Sequence, residues 1–317
     1  MNAQATTLVT VTLNPAIDLS CTVADFTPGQ VNRVSASQSD AGGKGVNIAR
    51  LLRQFALPVT ATGFLGQANP HLFQKLFSES GINDAFVRVP GETRTGIKIL
   101  DPLSQETTDI NFPGFSPTAD HLQELHNVLE RLAATAATVI IAGSVPGAME
   151  PATIAQLVQT VKAQGVPVYV DTSGPALQQA IGAGPTLIKP NQEELSAFLG
   201  RPLTTQREIV AEARRLIEQG ITTIVVSLGA AGALFVQRDQ AYMAVPPRVK
   251  VISTVGAGDA MVGSLAAGFR QGLSLHDCAR LATAVSAAVV TQAGPGLASL
   301  AAAKAIEDQV EIHRLTF

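Results

Sequence analysis

Residues 253–268, STVGAGDAMVGSLAAG, set three small residues, Gly256, Ala257 and Gly258, in front of an acid, Asp259, at the head of an apolar run. Small residues in a turn that opens a helix let successive backbone N–H groups converge on one hollow. The helix dipole favours negative charge there, which suits a phosphoryl group in transfer. A carboxylate at that point would be held ionised by the dipole and could accept the proton of a hydroxyl attacking phosphorus. The same letters also describe a plain helix N-cap, since Gly followed by Asp is a common helix start.

A second glycine-rich turn, DAGGKGVNIAR at 40–50, has neither the order of a Walker loop nor that of a dinucleotide fingerprint. Its small residues let a polar ligand approach the backbone, and Lys44 offers a point charge for a phosphate; the plain alternative is a tight loop with an exposed lysine. IKPNQEEL at 188–195 sets Asn191 and Glu194 three apart on the first turn of a helix. So spaced, they can hold Mg²⁺ through its waters, or simply give the helix a favourable acidic start. SLGAAGALF at 227–235 joins strand to strand through glycines, leaving room for an adenosine or making only a hairpin. His71, His121, His126, His276 and His313 form no i,i+4 ligand pair, and Cys21 and Cys278 show neither a CxxC nor a Cys/His cluster.

The elements that must position these residues follow from periodicity. β-rich runs at 7–13, 59–64, 138–143, 166–171, 186–190 and 222–228 alternate with helical patterns at 44–56, 69–80, 117–134, 151–164, 191–199 and 206–219. That rhythm predicts an α/β fold with a central, mostly parallel sheet flanked by helices. Segments 19–39 and 93–112 alternate in polarity without feeding a helix, and are predicted to form a small β-lid on the one domain, 1–317. The C-terminal third, 258–271, 274–292 and 298–314, reads as helices with no strand between them.

Composition narrows the function. With 22 Lys+Arg against 25 Asp+Glu, the net charge of −3 leaves no basic field for nucleic acid. No run approaches the roughly 18 apolar residues of a membrane span, and Met1 to Thr10 carries no basic stretch followed by an apolar h-region, so a soluble cytoplasmic protein is expected. At 46% hydrophobic over 317 residues, the chain can bury a substantial core.

Taken together and in this order, the four motifs and LNPAIDL at 13–19 resemble the ribokinase-like carbohydrate kinases over nearly the whole chain. The resemblance implies a ribokinase-like fold with a β-lid over the sugar and in-line phosphoryl transfer from ATP with Mg²⁺. Asp259 then matches the catalytic base, and the 256–258 amides the anion hole. Asp18, Gly43, Asn47 and Ser144 match sugar-binding positions. For the nucleotide the match gives Lys189, Asn191, Glu194, Ser227, Gly229, Gly232 and Ser253, with Thr283 and Ala287 near the adenine. Glu194 would hold Mg²⁺ through water, and the carbonyls of Ser253, Val255, Val289, Gln292 and Gly294 are candidates for a K⁺ cage.

Three cations, Lys44, Arg94 and Arg33, suit an acceptor that already carries a phosphate. GGKG, then TR, then TTDINFPGF resembles the members that convert fructose 1-phosphate to fructose 1,6-bisphosphate, and less those acting on tagatose 6-phosphate or fructose 6-phosphate. Gly96 stands where many of these relatives carry Asn, and Ser253 where ribokinase has Asp. A non-catalytic sugar-phosphate sensor is the alternative from another class; a base beside an anion hole argues against it. Apolar lid residues Val23, Phe26, Ile97 and Ile99 would be exposed in a lone subunit, so a homodimer through the lids is expected, with Arg33 reaching the neighbour's site.

Overall fold

The computed structural model describes residues 7–104, 106–292, 294 and 296–317. The chain runs β1 (Thr7–Thr12), β2 (Ala16–Thr22), β3 (Ala36–Gly42), α1 (Lys44–Gln54), β4 (Val59–Gly66), α2 (His71–Ser80), β5 (Asn83–Asp84), β6 (Val87–Val89), β7 (Arg94–Leu100) and β8 (Thr107–Asn111). It continues with α3 (Ala119–Ala133), β9 (Ala136–Ala142), α4 (Thr153–Ala163), β10 (Val168–Asp171), α5 (Gly174–Ala183), β11 (Leu187–Ile188), α6 (Gln192–Leu199), α7 (Gln206–Glu218) and β12 (Thr223–Ser227). The last elements are β13 (Ala233–Val236), β14 (Ala241–Val245), α8 (Ala257–Arg270), α9 (Leu275–Val289), α10 (Leu300–Glu307) and β15 (Glu311–Arg314).

Among the described residues the main sheet has eleven strands, in the order β15-β14-β13-β12-β11-β10-β9-β1-β4-β5, with β6 also on β4. Every neighbour from β12 to β5 is parallel, and the β13-β14-β15 edge is antiparallel. Successive side chains of a strand point to opposite faces, so the central runs must be apolar throughout. Val9, Val11, Val139 and Ile141 lie in one core with α3, α4 and α5. Leu8 and Ile140 lie in the other, with α1, α2, α8 and α9. Each such side chain contributes about 1.5–3 kcal/mol when fully buried.

Two findings depart from the sequence reading of these elements. Segment 298–314 is one short helix, α10, followed by strand β15 on the edge of the main sheet. Val310 and Ile312 alternate with polar neighbours, a strand pattern too short to stand out beside an Ala-rich helix. Residues 174–183 form a helix, α5, that the breaker pair Gly174-Pro175 concealed; proline is tolerated in a first helical turn, where its missing N–H leaves no bond unmade.

The lid is a separate four-stranded sheet, β3-β2-β7-β8, with β2 and β7 parallel. Its apolar face is partly covered by its own chain. Val23 and Ile99 are buried beside Cys21 and pack with Phe26 and Ile97, so these are not the exposed residues expected from sequence. The loop after β2 is fastened by Asp101, whose carboxylate accepts from the amides of Asp25 and Phe26 at 3.1 and 3.0 Å. Among the described residues of the lid, the large apolar side chains that are exposed are instead Val31, Val34, Leu103, Ile110 and Phe112. Among the described residues, no helix is long and apolar enough to cross a membrane.

Candidate active site

The hollow at the head of α8 forms as the small residues require. Gly256 caps the helix at φ 83°, a left-handed conformation that strains any residue with a Cβ. It leaves the first amides of α8 without intrahelical partners. Asp259, in the first turn, is buried. It is reached by α1: Asn47 Nδ2 donates to Asp259 Oδ2 at 2.7 Å. Asn47 and Leu51 share one face of α1, Asp259 and Gly263 one face of α8, and a Cβ on Gly263 would stand 2.9 Å from Leu51 Cδ2. A glycine at 263 therefore lets the helices approach closely enough for the Asn47 bond one turn away.

Beside this pair stands Asp171, at the end of β10 and 1% exposed. Its Oδ2 accepts from Lys44 Nζ at 3.2 Å, and Lys189 Nζ lies 3.3 Å from its Oδ1. The alignment at Oδ1 is too poor to count as a hydrogen bond. Burial works to raise the Asp171 pKa, but Lys189 and Lys44 outweigh it and hold the carboxyl below its usual range. Lys44 is shifted upward: burial opposes its charge, and Asp171, Asp259 and Glu194 together prevail. A Cβ on Gly258 would stand 3.2 Å from Lys189 Nζ, so that ammonium lies against the head of α8.

Asp259 departs from the expectation that the helix dipole alone sets its charge. Burial, then the nearby Asp171 carboxylate, push its pKa up to about 6, against Asn47, Lys44 and Lys189. A helix terminus is typically worth about 0.3–1 kcal/mol, and full burial shifts a carboxyl by up to 3–5 units, so desolvation wins. A carboxylate tuned toward neutrality is a better general base at pH 7 than an ordinary aspartate.

On one side of α8 opens a cavity of about 1400 Å³. It is ample for a nucleoside triphosphate, since ligand pockets commonly span about 300–1,000 Å³. Asn191, Ser227, Gly229, Gly232, Thr283 and Ala287 all line it, and Ala257 and Gly258 form part of its wall. The Thr283 hydroxyl is buried without a protein partner, a polar atom that a ligand could satisfy. Gly232 has its own structural reason: at φ 106°, a Cβ would overlap the carbonyl oxygen of Ala244 on β14. Sequence reasoning missed Arg248, Pro246, Pro247 and Thr254 on this wall, while three expected nucleotide positions, Lys189, Glu194 and Ser253, are not part of the lining; Ser253 accepts from the Val255 amide at 3.3 Å.

Asn191 and Glu194 form a capping box: Asn191 Oδ1 accepts from the Glu194 amide at 2.7 Å, and Glu194 Oε2 from the Asn191 amide at 2.8 Å. The helix-start reading is thus true, and it does not exclude the other, because Glu194 Oε1 is left over from the box. Among the described residues no group of three or more His, Cys, Asp or Glu could hold a metal. A divalent ion here would depend on phosphate oxygens and water, the usual manner of Mg²⁺. The two halves of the suggested K⁺ cage are adjacent, since the Ile252 and Ser253 amides donate to Val290 O at 2.8 and 3.3 Å. Residues 293 and 295, beside Gln292 and Gly294, lie outside the described residues.

Opposite the cavity, the polar face of the lid carries Asp18, whose carboxylate packs against Gly42 where any Cβ would overlap it. Arg94 donates through Nε to Asn14 Oδ1 at 3.1 Å and through Nη1 to Asn111 Oδ1 at 3.2 Å. Asn14 in turn donates to Ser144 Oγ at 3.0 Å. Burial pulls the Arg94 pKa down, and Asp18 opposes the shift. Gly43 caps α1 at φ 122° with Thr12 and Pro15 against it. Arg33 is exposed in the loop between β2 and β3, and among the described residues no hydrogen bond or ion pair joins it to this face. Lys98, absent from the sequence reading, does reach it, lying 3.2 Å from Asp18 Oδ1. Asp171 was missed as well, although an acid at the carboxyl end of a parallel strand is a readable signal.

A family model described as pfkB family carbohydrate kinase matches residues 7–302. The 1-phosphofructokinase of Rhodobacter capsulatus is 44% identical over 291 residues, covering 92% of each chain. Among solved structures, phosphofructokinase-2 from Escherichia coli in complex with potassium superposes with a TM-score of 0.90 at 30% identity, covering 96% of this chain and 99% of that one. Arabidopsis thaliana ribokinase complexed with ribose and ATP has a TM-score of 0.77 at 23% identity, covering 96% and 99%, and shares the fold.

Proposed function

The chain belongs to the pfkB family of carbohydrate kinases, and on that footing we propose that it transfers the γ-phosphoryl group of ATP to the free primary hydroxyl of fructose 1-phosphate, giving fructose 1,6-bisphosphate. The relatives named 1-phosphofructokinase, 44% identical in the case of Rhodobacter capsulatus, support that choice of acceptor. One observation carries the reading of the site. Asp259, with its pKa pushed up to about 6, directly follows Gly258, which lines the large cavity, and is bonded through Asn47 to the helix that starts under the lid.

In this reading the acceptor lies between the lid and α8, with hydroxyls on Asp18 and its phosphate at Arg94. Asp259 takes the proton of the attacking hydroxyl. The negative charge that spreads over the transferring oxygens meets the amides of 256–258 and the ammonium groups of Lys189 and Lys44, which Asp171 holds in place. Mg²⁺ supplies charge neutralisation at the phosphates when bound, and Glu194 Oε1 is the group available to hold it through water. A K⁺ near Ser253 and Val255 would order the turn into α8; that E. coli phosphofructokinase-2 has been solved in complex with potassium supports a test for it here.

The assembly reading is a dimer through the lids. Val31, Val34, Ile110 and Phe112 are exposed on it, and among the described residues the β3 and β8 edges have neighbours on one side only. Arg33 sits among those exposed apolar residues, which suits donation into a partner's site. The free thiols of Cys21 and Cys278, both buried, suit the cytoplasm.

Steady-state turnover with fructose 1-phosphate, fructose 6-phosphate and tagatose 6-phosphate, side by side, tests the function. The highest kcat/KM is expected on fructose 1-phosphate; a higher value on either 6-phosphate would replace the acceptor.

A further inference from the structure

The polar face of the lid holds a cation, Lys98, to which none of the motifs gives a role. Along a strand every second side chain points the same way, so Arg94, Gly96 and Lys98 of β7 share the face that looks toward the site. In register beside them stand Ala16, Asp18 and Ser20 of β2, and on the other side Asn111 opposite Gly96 and Asp109 opposite Lys98.

Gly96 makes a gap in this row. A Cβ there would already press on Asp18 Oδ1 at 3.1 Å and on Asn111 Oδ1 at 3.4 Å. The gap is therefore a bare floor walled by two oxygen groups and flanked along the strand by two cations. Arg94 and Lys98 are about 13 Å apart at Cα, a span that two long side chains can close over one anion. The two cations differ in commitment. Arg94 is fixed by its hydrogen bonds to the Asn14 side chain and to Asn111. Among the described residues Lys98 has one close partner, Asp18 Oδ1 at 3.2 Å, with Asp109 Oδ1 at 4.0 Å, and its side chain is 18% exposed.

Resting on the reading of this face as the acceptor site, we propose that Lys98 is a second phosphate-binding cation, which leaves Asp18 for the acceptor's phosphate when the sugar arrives. Charge balance gives the reason. Asp18, Asp109 and a phosphate dianion brought together around Gly96 carry four negative charges against the single positive charge of Arg94. Lys98 reduces the excess by one and bonds whichever anion is nearer. In the free protein it neutralises Asp18, whose carboxylate then awaits the sugar hydroxyls without repelling the incoming phosphate. A lysine suits the exchange better than an arginine, because its ammonium is a compact charge on a flexible stem.

The test is acceptor and nucleotide kinetics on the wild type, Lys98→Met and Lys98→Arg, each also in an Asp18→Asn background. Loss of a charge-assisted bond to phosphate is expected to lower kcat/KM for fructose 1-phosphate about 10- to 100-fold, with the KM for ATP unchanged and much of the loss recovered by arginine. The Lys98→Met loss should persist when Asp18 is already Asn, as it must if the ammonium acts on the substrate. A loss that vanishes in the Asp18→Asn background would mean that Lys98 only neutralises Asp18, and no loss, or an equal rise in the KM for ATP, would equally overturn the proposal. If the wild type prefers a sugar 6-phosphate, the acceptor named above is wrong, and the same comparison on that sugar decides the role of Lys98.

Discussion

Asn47 Nδ2 donates to Asp259 Oδ2 at 2.7 Å, so the first turns of α1 and α8, more than two hundred residues apart in sequence, meet at one carboxylate. Asp259→Asn should lower kcat by about 10²–10⁴ while leaving nucleotide binding measurable by calorimetry, because only the proton acceptor is removed. Near-normal turnover of that variant would reduce Asp259 to a helix-start residue.

The pH profile follows from the same contact. A base must be deprotonated to act, so activity should be full above the pKa of Asp259 and fall as the pH drops through about 6. The groups facing it are Asn47, Asp171, Lys44 and Lys189, and Asn47 favours the ionised form. Asn47→Ala should therefore move the acid limb of the kcat profile to higher pH. A sugar phosphate also titrates near pH 6, but a phosphate bound at Arg94 is not among the groups that Asn47 contacts, so its ionisation in the complex should not follow this substitution. An unmoved limb would assign the titration to the substrate.

Arg94 and Lys44 answer to different carboxylates, and their variants should separate in kinetics. The carboxylate acting on Arg94 is Asp18, whereas those acting on Lys44 are Asp171, Asp259 and Glu194. Arg94→Ala should raise the KM for the sugar phosphate with that for ATP little changed. Lys44→Ala should chiefly lower kcat, about tenfold or more, by taking charge from the phosphoryl in transfer. Sequence motifs alone put Lys44 with the sugar's phosphate; a selective rise in acceptor KM for Lys44→Ala would restore that assignment.

Arg33 offers a test of assembly. If it enters the partner's site, a mixed dimer of Arg33→Ala and Asp259→Asn chains has one site with its own Asp259 and the partner's Arg33. The other site then lacks both. Mixing the two inactive or weak variants should then restore low-KM activity once subunit exchange is verified by mass. No restoration would confine Arg33 to its own chain or to no role.

What was legible in the sequence was whatever a short stretch of chain fixes for itself. The GAGD turn, the helix start at Asn191 and Glu194 and the alternating strands are local, because backbone sterics and hydrogen bonds between near neighbours decide them. The parallel sheet and the β-lid were legible too, since hydrophobic period is written along the chain. The 298–314 segment misled because a four-residue strand carries little period of its own and is fixed by pairing with β14. Tertiary structure alone decided the electrostatics. Asp171 joins Lys44 and Lys189, Lys98 reaches Asp18, and Asp259 is pushed up to about 6 only after β10, α1, α8 and the lid have packed. Charge acts through distance and solvent exclusion, and neither is a property of neighbouring letters.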